Sequence, residues 1–189
     1  MSMFSEPART LETENFILRS LTEEDATEKY LSWLNDIEVT KYLEVRLVVS
    51  SIESIRNYIR SHDNRTSFLL GIFDKKTGNH IGNYSIRCDS YHSVATVGVM
   101  IGDRDYWGRR VITESRRAVV DFLFDEAGMA KAQGACYANN LPAIFNYKAQ
   151  RYRKEGTLKS HRLFEGKRVD LIMFAILPDE RPWISSNDE

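Results

Sequence analysis

The chain has 189 residues, 42% of them hydrophobic, with 26 basic and 27 acidic side chains and a formal net charge of -1. That length suits one domain with a sizeable core. The balanced charge argues against nucleic acid as the main partner, and no run of about 18 apolar residues offers a membrane span.

Residues 1–14 are polar and read as a flexible lead without the basic-then-apolar pattern of a secretory signal, so a cytoplasmic location is expected. "FILRSL" alternates from Phe16 to Leu21 as a strand. Thr22 can cap a following helix, with Ala26, Tyr30, Trp33, Leu34 and Ile37 on one apolar side. Ser50 or Ser51 can cap a second helix carrying Ile52, Ile55, Tyr58 and Ile59. The period then changes. "SFLLGIF", the turn "DKKTGN" and "HIGNYSI" predict a hairpin over 67–86, and "HSVATVGVMI" predicts a strand over 92–101. Val111, Ser115, Ala118, Val119, Phe122 and Leu123 line a long helix with Gly128 past its end. "KAQGACYA" is a shorter strand. "LPAIFNYKAQ" is a short helix, with Asn140 as cap and Pro142 in its first turn. Two strands around "EGKR" close the domain, and 178–189 form a polar tail. The order describes one mixed α/β domain over 15–177. Cys88 and Cys136 have no metal-ligand spacing, so no metal is expected and both read as reduced thiols.

"DYWGRRVITES", residues 105–115, places two arginines where the long helix begins. A helix start leaves four amides without intrahelical partners, and its dipole favours an anion. Gly108 permits close backbone approach, while Arg109 and Arg110 add charge and forked donors. A pyrophosphate fits this chemistry better than a lone carboxylate. Neither a Walker loop nor GxGxxG is present. The plainer reading is a solvated loop before an ordinary helix.

"IGDRDYWGRRVITESRRAVVDFLFDEAG" and "NLPAIFNYKAQRYRKEG" together resemble the centre of the GNAT superfamily of acyl-CoA-dependent N-acyltransferases, nearest the branch with ribosomal-protein N-terminal and sugar-amine acetyltransferases. The resemblance covers about residues 15 to 177. It implies a single-domain α/β fold with a central mixed, mostly antiparallel twisted sheet flanked by helices. It also implies acetyl-CoA as cosubstrate, its pyrophosphate held by loop amides of Trp107, Gly108, Arg109, Arg110, Val111, Ile112 and Thr113. The family loop has Gln or Arg, two residues, Gly, one residue, then Gly or Ala; Trp107, Arg110 and Ile112 stand there. Asn140 resembles the residue that holds the CoA arm, and Tyr147 the phenol that protonates the departing thiolate. As a cap and a core ring, both also have plain structural readings. Ala143 replaces the usual serine, and Arg151-Tyr152 the usual Gly-Phe pair.

The implied reaction is direct attack of a neutral amine on the thioester in a ternary complex. Backbone amides from Val99, Met100 and Ile101 would meet the carbonyl oxygen. Glu114 and His92 are the candidate bases. Each has a plainer reading, as an acidic residue opposing the helix dipole and as an exposed strand-start histidine. Asp36, Glu38 and Glu44 lie on the substrate side, where Trp33, Asn35 and Arg46 could meet a sugar acceptor. The acceptor is a small amine, an amino sugar, or a protein N-terminus. A noncatalytic GNAT-like binding module is the alternative. Exposed strand edges allow a homodimer.

Overall fold

The computed structural model describes residues 8–44 and 51–184. The strands among the described residues are β1 (Thr10–Glu12), β2 (Phe16–Ser20), β3 (Ser67–Asp74), β4 (His80–Asp89), β5 (Val94–Ile101), β6 (Lys131–Tyr137), β7 (Arg153–Phe164) and β8 (Lys167–Ile176). These eight form one sheet in the order β1-β2-β3-β4-β5-β6-β8-β7. Every neighbouring pair is antiparallel except β5 with β6. The helices are α1 (Glu28–Asn35), α2 (Ile37–Thr40), α3 (Ile52–Arg60), α4 (Val111–Asp121) and α5 (Leu141–Ala149). This is the mixed, mostly antiparallel α/β sheet flanked by helices that the sequence predicts. No helix among the described residues is long and apolar enough to cross a membrane.

Local chemistry explains most boundaries. Ser51 accepts from the Ser54 amide and starts α3, and the fully buried Ile55 contributes about 2 kcal/mol to packing that helix. Ser50 lies outside the described residues. In the β3–β4 turn the Asp74 carboxylate accepts from the amides of Lys76 and Thr77, and Gly78 takes φ 71°. Asn140 accepts from the Ala143 amide at 3.2 Å and caps α5 as expected.

The first helix is corrected. Thr22 heads only a short 3-10 turn, because Asp25 bonds back to the Thr22 amide and is gripped by Arg19. Thr27 then caps α1, so Ala26 precedes the helix. Asp36 ends α1 and caps α2, which leaves Ile37 59% exposed rather than on the core face.

The flexible lead expected over 1–14 is corrected in its described part: Thr10–Glu12 pairs with β2, and residues 1–7 lie outside the described residues. Within the 178–189 tail, Arg181 bridges Asp121 and Asp125, and the Trp183 indole donates to Asp121, so this part packs along α4.

The sheet separates two apolar layers. One joins Leu18, Leu70, Ile72, Val119, Leu123 and Phe174 beneath α4 and α5. The other joins Tyr30, Trp33, Leu34, Ile55 and Met100 beneath α1 and α3.

Candidate active site

The two edges of β5 differ. Toward β4 it pairs along its whole length, Val94 to Ile101. Toward β6 only Val94, Ala95 and Thr96 pair, with Lys131, Ala132 and Gln133. β6 meanwhile stays paired to β8 as far as Tyr137. The strands therefore part after Thr96 and Gln133, and residues 97–101 have no ladder partner on that side.

Strand alternation decides which backbone groups face the split. A Cβ added to Gly82 on β4 would lie 2.3 Å from the Met100 carbonyl, so Met100 turns its backbone to β4. Val97, Val99 and Ile101 turn theirs the other way. A Cβ on Gly134 of β6 would sit 2.9 Å from the Val97 carbonyl, and the Trp107 indole donates to the Ile101 carbonyl at 2.9 Å. The amides of Val99 and Ile101 thus face the split. Met100, expected beside them, does not: its amide faces β4 and its side chain packs with Trp33 and Tyr30.

At the end of β5 the chain turns into α4. Gly102 is required there, because the Trp33 indole lies where a Cβ would be, 2.1 Å away. Asp103 caps a 3-10 turn over Arg104–Tyr106. Gly108 and Arg110 then take φ 75° and 60°. For arginine this left-handed backbone costs roughly 1 kcal/mol. Arg110 precedes α4 without a side-chain cap, so the first amides of the helix have no side chain folded over them. Arg109 lies over the Tyr106 ring at 5.4 Å, Arg104 over Trp107 at 5.4 Å, and residues 107–110 are exposed. Val111 is buried in the core, so only its backbone can meet a ligand, whereas Ile112 and Thr113 are half-buried.

α5 brings Tyr147 to the apex of the split. Its ring is buried and stacks on Phe174 with centroids 4.6 Å apart. Its hydroxyl lies over Gly134, 2.2 Å from where a Cβ would stand. Gly134, the residue at which the ladder stops, therefore makes room for the phenol. Sequence reasoning passed over it, although a glycine inside "KAQGACYA" signals a close approach to a strand. Burial raises the Tyr147 phenol, and the Arg116 charge opposes that rise. The Asn140 side-chain oxygen is used as the α5 cap.

The expected bases are not brought here. His92 lies in the exposed β4–β5 turn, and its amide donates to Asp89. At about 3.3 Å per residue, β5 separates that turn from Ile101 by roughly 23 Å. Glu114 accepts from the Thr13 hydroxyl at 2.6 Å and from the Asn15 amide and side chain at 2.7 and 3.0 Å. Burial pushes its carboxyl up, but these donors and the charge of Lys75 outweigh it and hold the group low. Such a carboxylate is a clamp on the β1–β2 turn and a poor base. Burial raises the Cys136 thiol to about 11, which makes it a weak nucleophile.

On the acceptor side, Asp36 caps α2 and Glu38 pairs with Lys41 at 2.7 Å. Trp33 is a core residue, Asn35 is exposed, and Arg46 lies outside the described residues. Glu44 sits 3.0 Å from Arg162 and accepts from the Tyr137 hydroxyl at 3.1 Å. Tyr42, Tyr137 and Phe164 form an aromatic cluster beside it. A cavity of about 790 Å³ runs along α4 between the β1–β2 turn and Trp183. No residue of β5 or β6 lines it. No cluster of metal-ligating side chains occurs among the described residues.

A strand leading to an uncapped helix mouth, beside two parallel strands that part, defines an acyltransferase-type fold. Residues 15–144 match the acetyltransferase (GNAT) domain model, and the chain belongs to that family. It is 27% identical over 180 residues to an uncharacterized N-acetyltransferase p20 of Bacillus licheniformis, covering 90% of this chain and 97% of that protein. The fold matches a GNAT-family acetyltransferase from Bacillus anthracis with TM-score 0.79 at 18% identity, covering 91% of this chain and 100% of the other. It also matches a ribosomal L7/L12 alpha-N-protein acetyltransferase in complex with coenzyme A, with TM-score 0.81 at 16% identity, covering 91% and 99%.

Proposed function

We propose that this protein transfers the acetyl group of acetyl-CoA to a primary amine by direct attack in a ternary complex. The observation that carries this reading is the split after Thr96 and Gln133, with the α4 mouth at one end and the Tyr147 phenol at its apex. Acetyl-CoA supplies an activated thioester on an amide-bearing arm that ends in a pyrophosphate. The free edge of β5 suits the arm. The amides of residues 109–113 suit the pyrophosphate, with Arg109 and Arg110 adding charge.

The amine nitrogen attacks the thioester carbon and the C–S bond breaks. The amides of Val99 and Ile101 stabilise the oxygen as it gains charge. Tyr147 gives its proton to the departing sulfur, and the amine's surplus proton leaves to water. The aromatic cluster of Tyr42, Tyr137 and Phe164, with Glu44 beside it, supports a compact polar amine such as an amino sugar, which attacks in its neutral form. A protein N-terminus is the second acceptor class.

Calorimetry with CoA, followed by thiol-release assays against amino sugars, peptides and small amines, tests the proposal. Saturable CoA binding is expected, weakened about 10-fold when Arg109 and Arg110 are both changed to Ala. Tyr147→Phe should lower kcat on the order of 100-fold while leaving CoA affinity nearly unchanged. Absence of binding at high micromolar CoA would sink the proposal. Binding without turnover of any amine would favour a noncatalytic module, for which Arg110, Ile112, Ala143 and Arg151 at family motif positions are the argument.

A further inference from the structure

One buried charge plays no part in the reaction so far. Arg116 on α4 is only 4% exposed and forms no ion pair with a carboxylate among the described residues. Its Nη1 is buried with no hydrogen-bond partner. A guanidinium does not shed its proton, and burying one without a carboxylate partner opposes folding. Methionine or leucine would fill the same volume without that cost.

Its surroundings share one property. The guanidinium lies 4.6 Å from the Tyr147 ring centre and 5.6 Å from that of Tyr152, beside α5 and the turn that follows it. It also donates to the Tyr84 hydroxyl of β4, and its charge reaches Cys136 of β6. No carboxylate pairs with it among the described residues. Each of these four neighbours is neutral at rest and becomes an anion on losing a proton. Tyr84 is engaged with Ser115 at 3.0 Å. Only Tyr147 carries its hydroxyl to the apex of the split, over Gly134.

We propose that Arg116 is a positioning residue for acetyl transfer: it braces the face of the Tyr147 ring and supplies the positive charge that favours a negative phenol oxygen as the proton passes to sulfur. This rests on the acetyl-transfer reading. The proton moves from the Tyr147 oxygen to the departing sulfur, forming the thiol. Water then returns a proton to the phenolate, and the amine's surplus proton passes to water, so the balance closes. The charge acts through a poorly solvated interior, where it is screened less than at the surface. Burial raises all three phenols, and Arg116 opposes the rise in each.

Arg116→Met and Arg116→Lys test this in the full-length protein. Replacing a buried charge that has no carboxylate partner with an apolar side chain of similar volume should leave the melting temperature unchanged or higher. In Arg116→Met, kcat should fall roughly 10- to 100-fold with KM for acetyl-CoA and CoA affinity within about 2-fold, and Arg116→Lys should restore most of the loss. The same change made on Tyr147→Phe should add little, because the two residues act through one proton transfer. A separate readout needs no turnover: the Cζ carbon resonance of Tyr147, assigned with Tyr147→Phe, should titrate at higher pH in Arg116→Met than in the wild type. An unmoved titration overturns the proposal whatever the enzyme does. Equal kcat losses in the wild-type and Tyr147→Phe backgrounds overturn it too. A wild type that acetylates no amine, yet shows the shifted titration, would strike the acetyl-transfer reading alone.

Discussion

The two edges of β5 show how one strand serves two purposes. Its β4 edge is sealed over eight residue pairs and backed by Trp33, Tyr30 and Met100. Its β6 edge closes over three pairs and then opens. Both edges depend on a glycine in the facing strand, for different reasons. Gly82 lets β4 approach the Met100 carbonyl, whereas Gly134 admits the Tyr147 hydroxyl. The first glycine serves closure and the second serves an opening. A ladder left incomplete inside an otherwise continuous sheet leaves backbone donors free for a ligand.

The sharpest way to break the contrast is Gly134→Ala. Its Cβ would occupy the place of the phenol oxygen and press on the Val97 carbonyl. Turnover should fall on the order of 100-fold with an unchanged far-UV circular dichroism spectrum. Near-normal turnover would show that the phenol is not needed at the apex.

Gly82→Ala should act on the closed edge in the opposite manner. Its Cβ meets backbone at 2.3 and 3.0 Å, which can yield only by moving the strand. A loss of about 2 to 3 kcal/mol in urea unfolding is expected, with the folded fraction still able to bind CoA. A stability within about 0.5 kcal/mol of wild type would mean that this edge is less tightly set than its contacts imply.

The smallest effect concerns pH. His80 packs against Phe73 and Trp33 on the closed side, and burial pushes its imidazole down to about 4. As pH falls below the ordinary value of 6.5, the unfolded chain takes up this proton first. The contribution is therefore complete above about 6.5 and is lost progressively toward 4. On the order of 2 kcal/mol should disappear between pH 7 and 4.5, and His80→Phe should flatten the dependence. Urea midpoints at the two pH values measure it, and equal slopes in both proteins would remove His80 as the cause.

Periodicity made the strands and long helices legible, because alternation and the 3.6-residue repeat record which face is buried. Turn chemistry marked Gly78, Gly108 and Gly128, all of which take positive φ. The first helix was misread because Thr22 and Thr27 offer the same capping chemistry, and the Arg19–Asp25 pairing that favours a short turn at Thr22 is visible only in three dimensions. Glu114 and His92 were plausible bases by residue type. One proved to be tied to the β1–β2 turn, and the other stands at the far end of β5.

The sequence by itself determined the α/β class, the order of the elements from β3 onward and the family to which the chain belongs, since hydrophobic period and turn residues act over a few neighbours. Only the tertiary structure decided which amides of β5 face outward, that Gly134 yields to Tyr147, and that Arg116 is buried beside that ring while Arg117 next to it is exposed. Those outcomes arise where segments distant along the chain meet. A local pattern does not encode which of two adjacent arginines the packed core encloses.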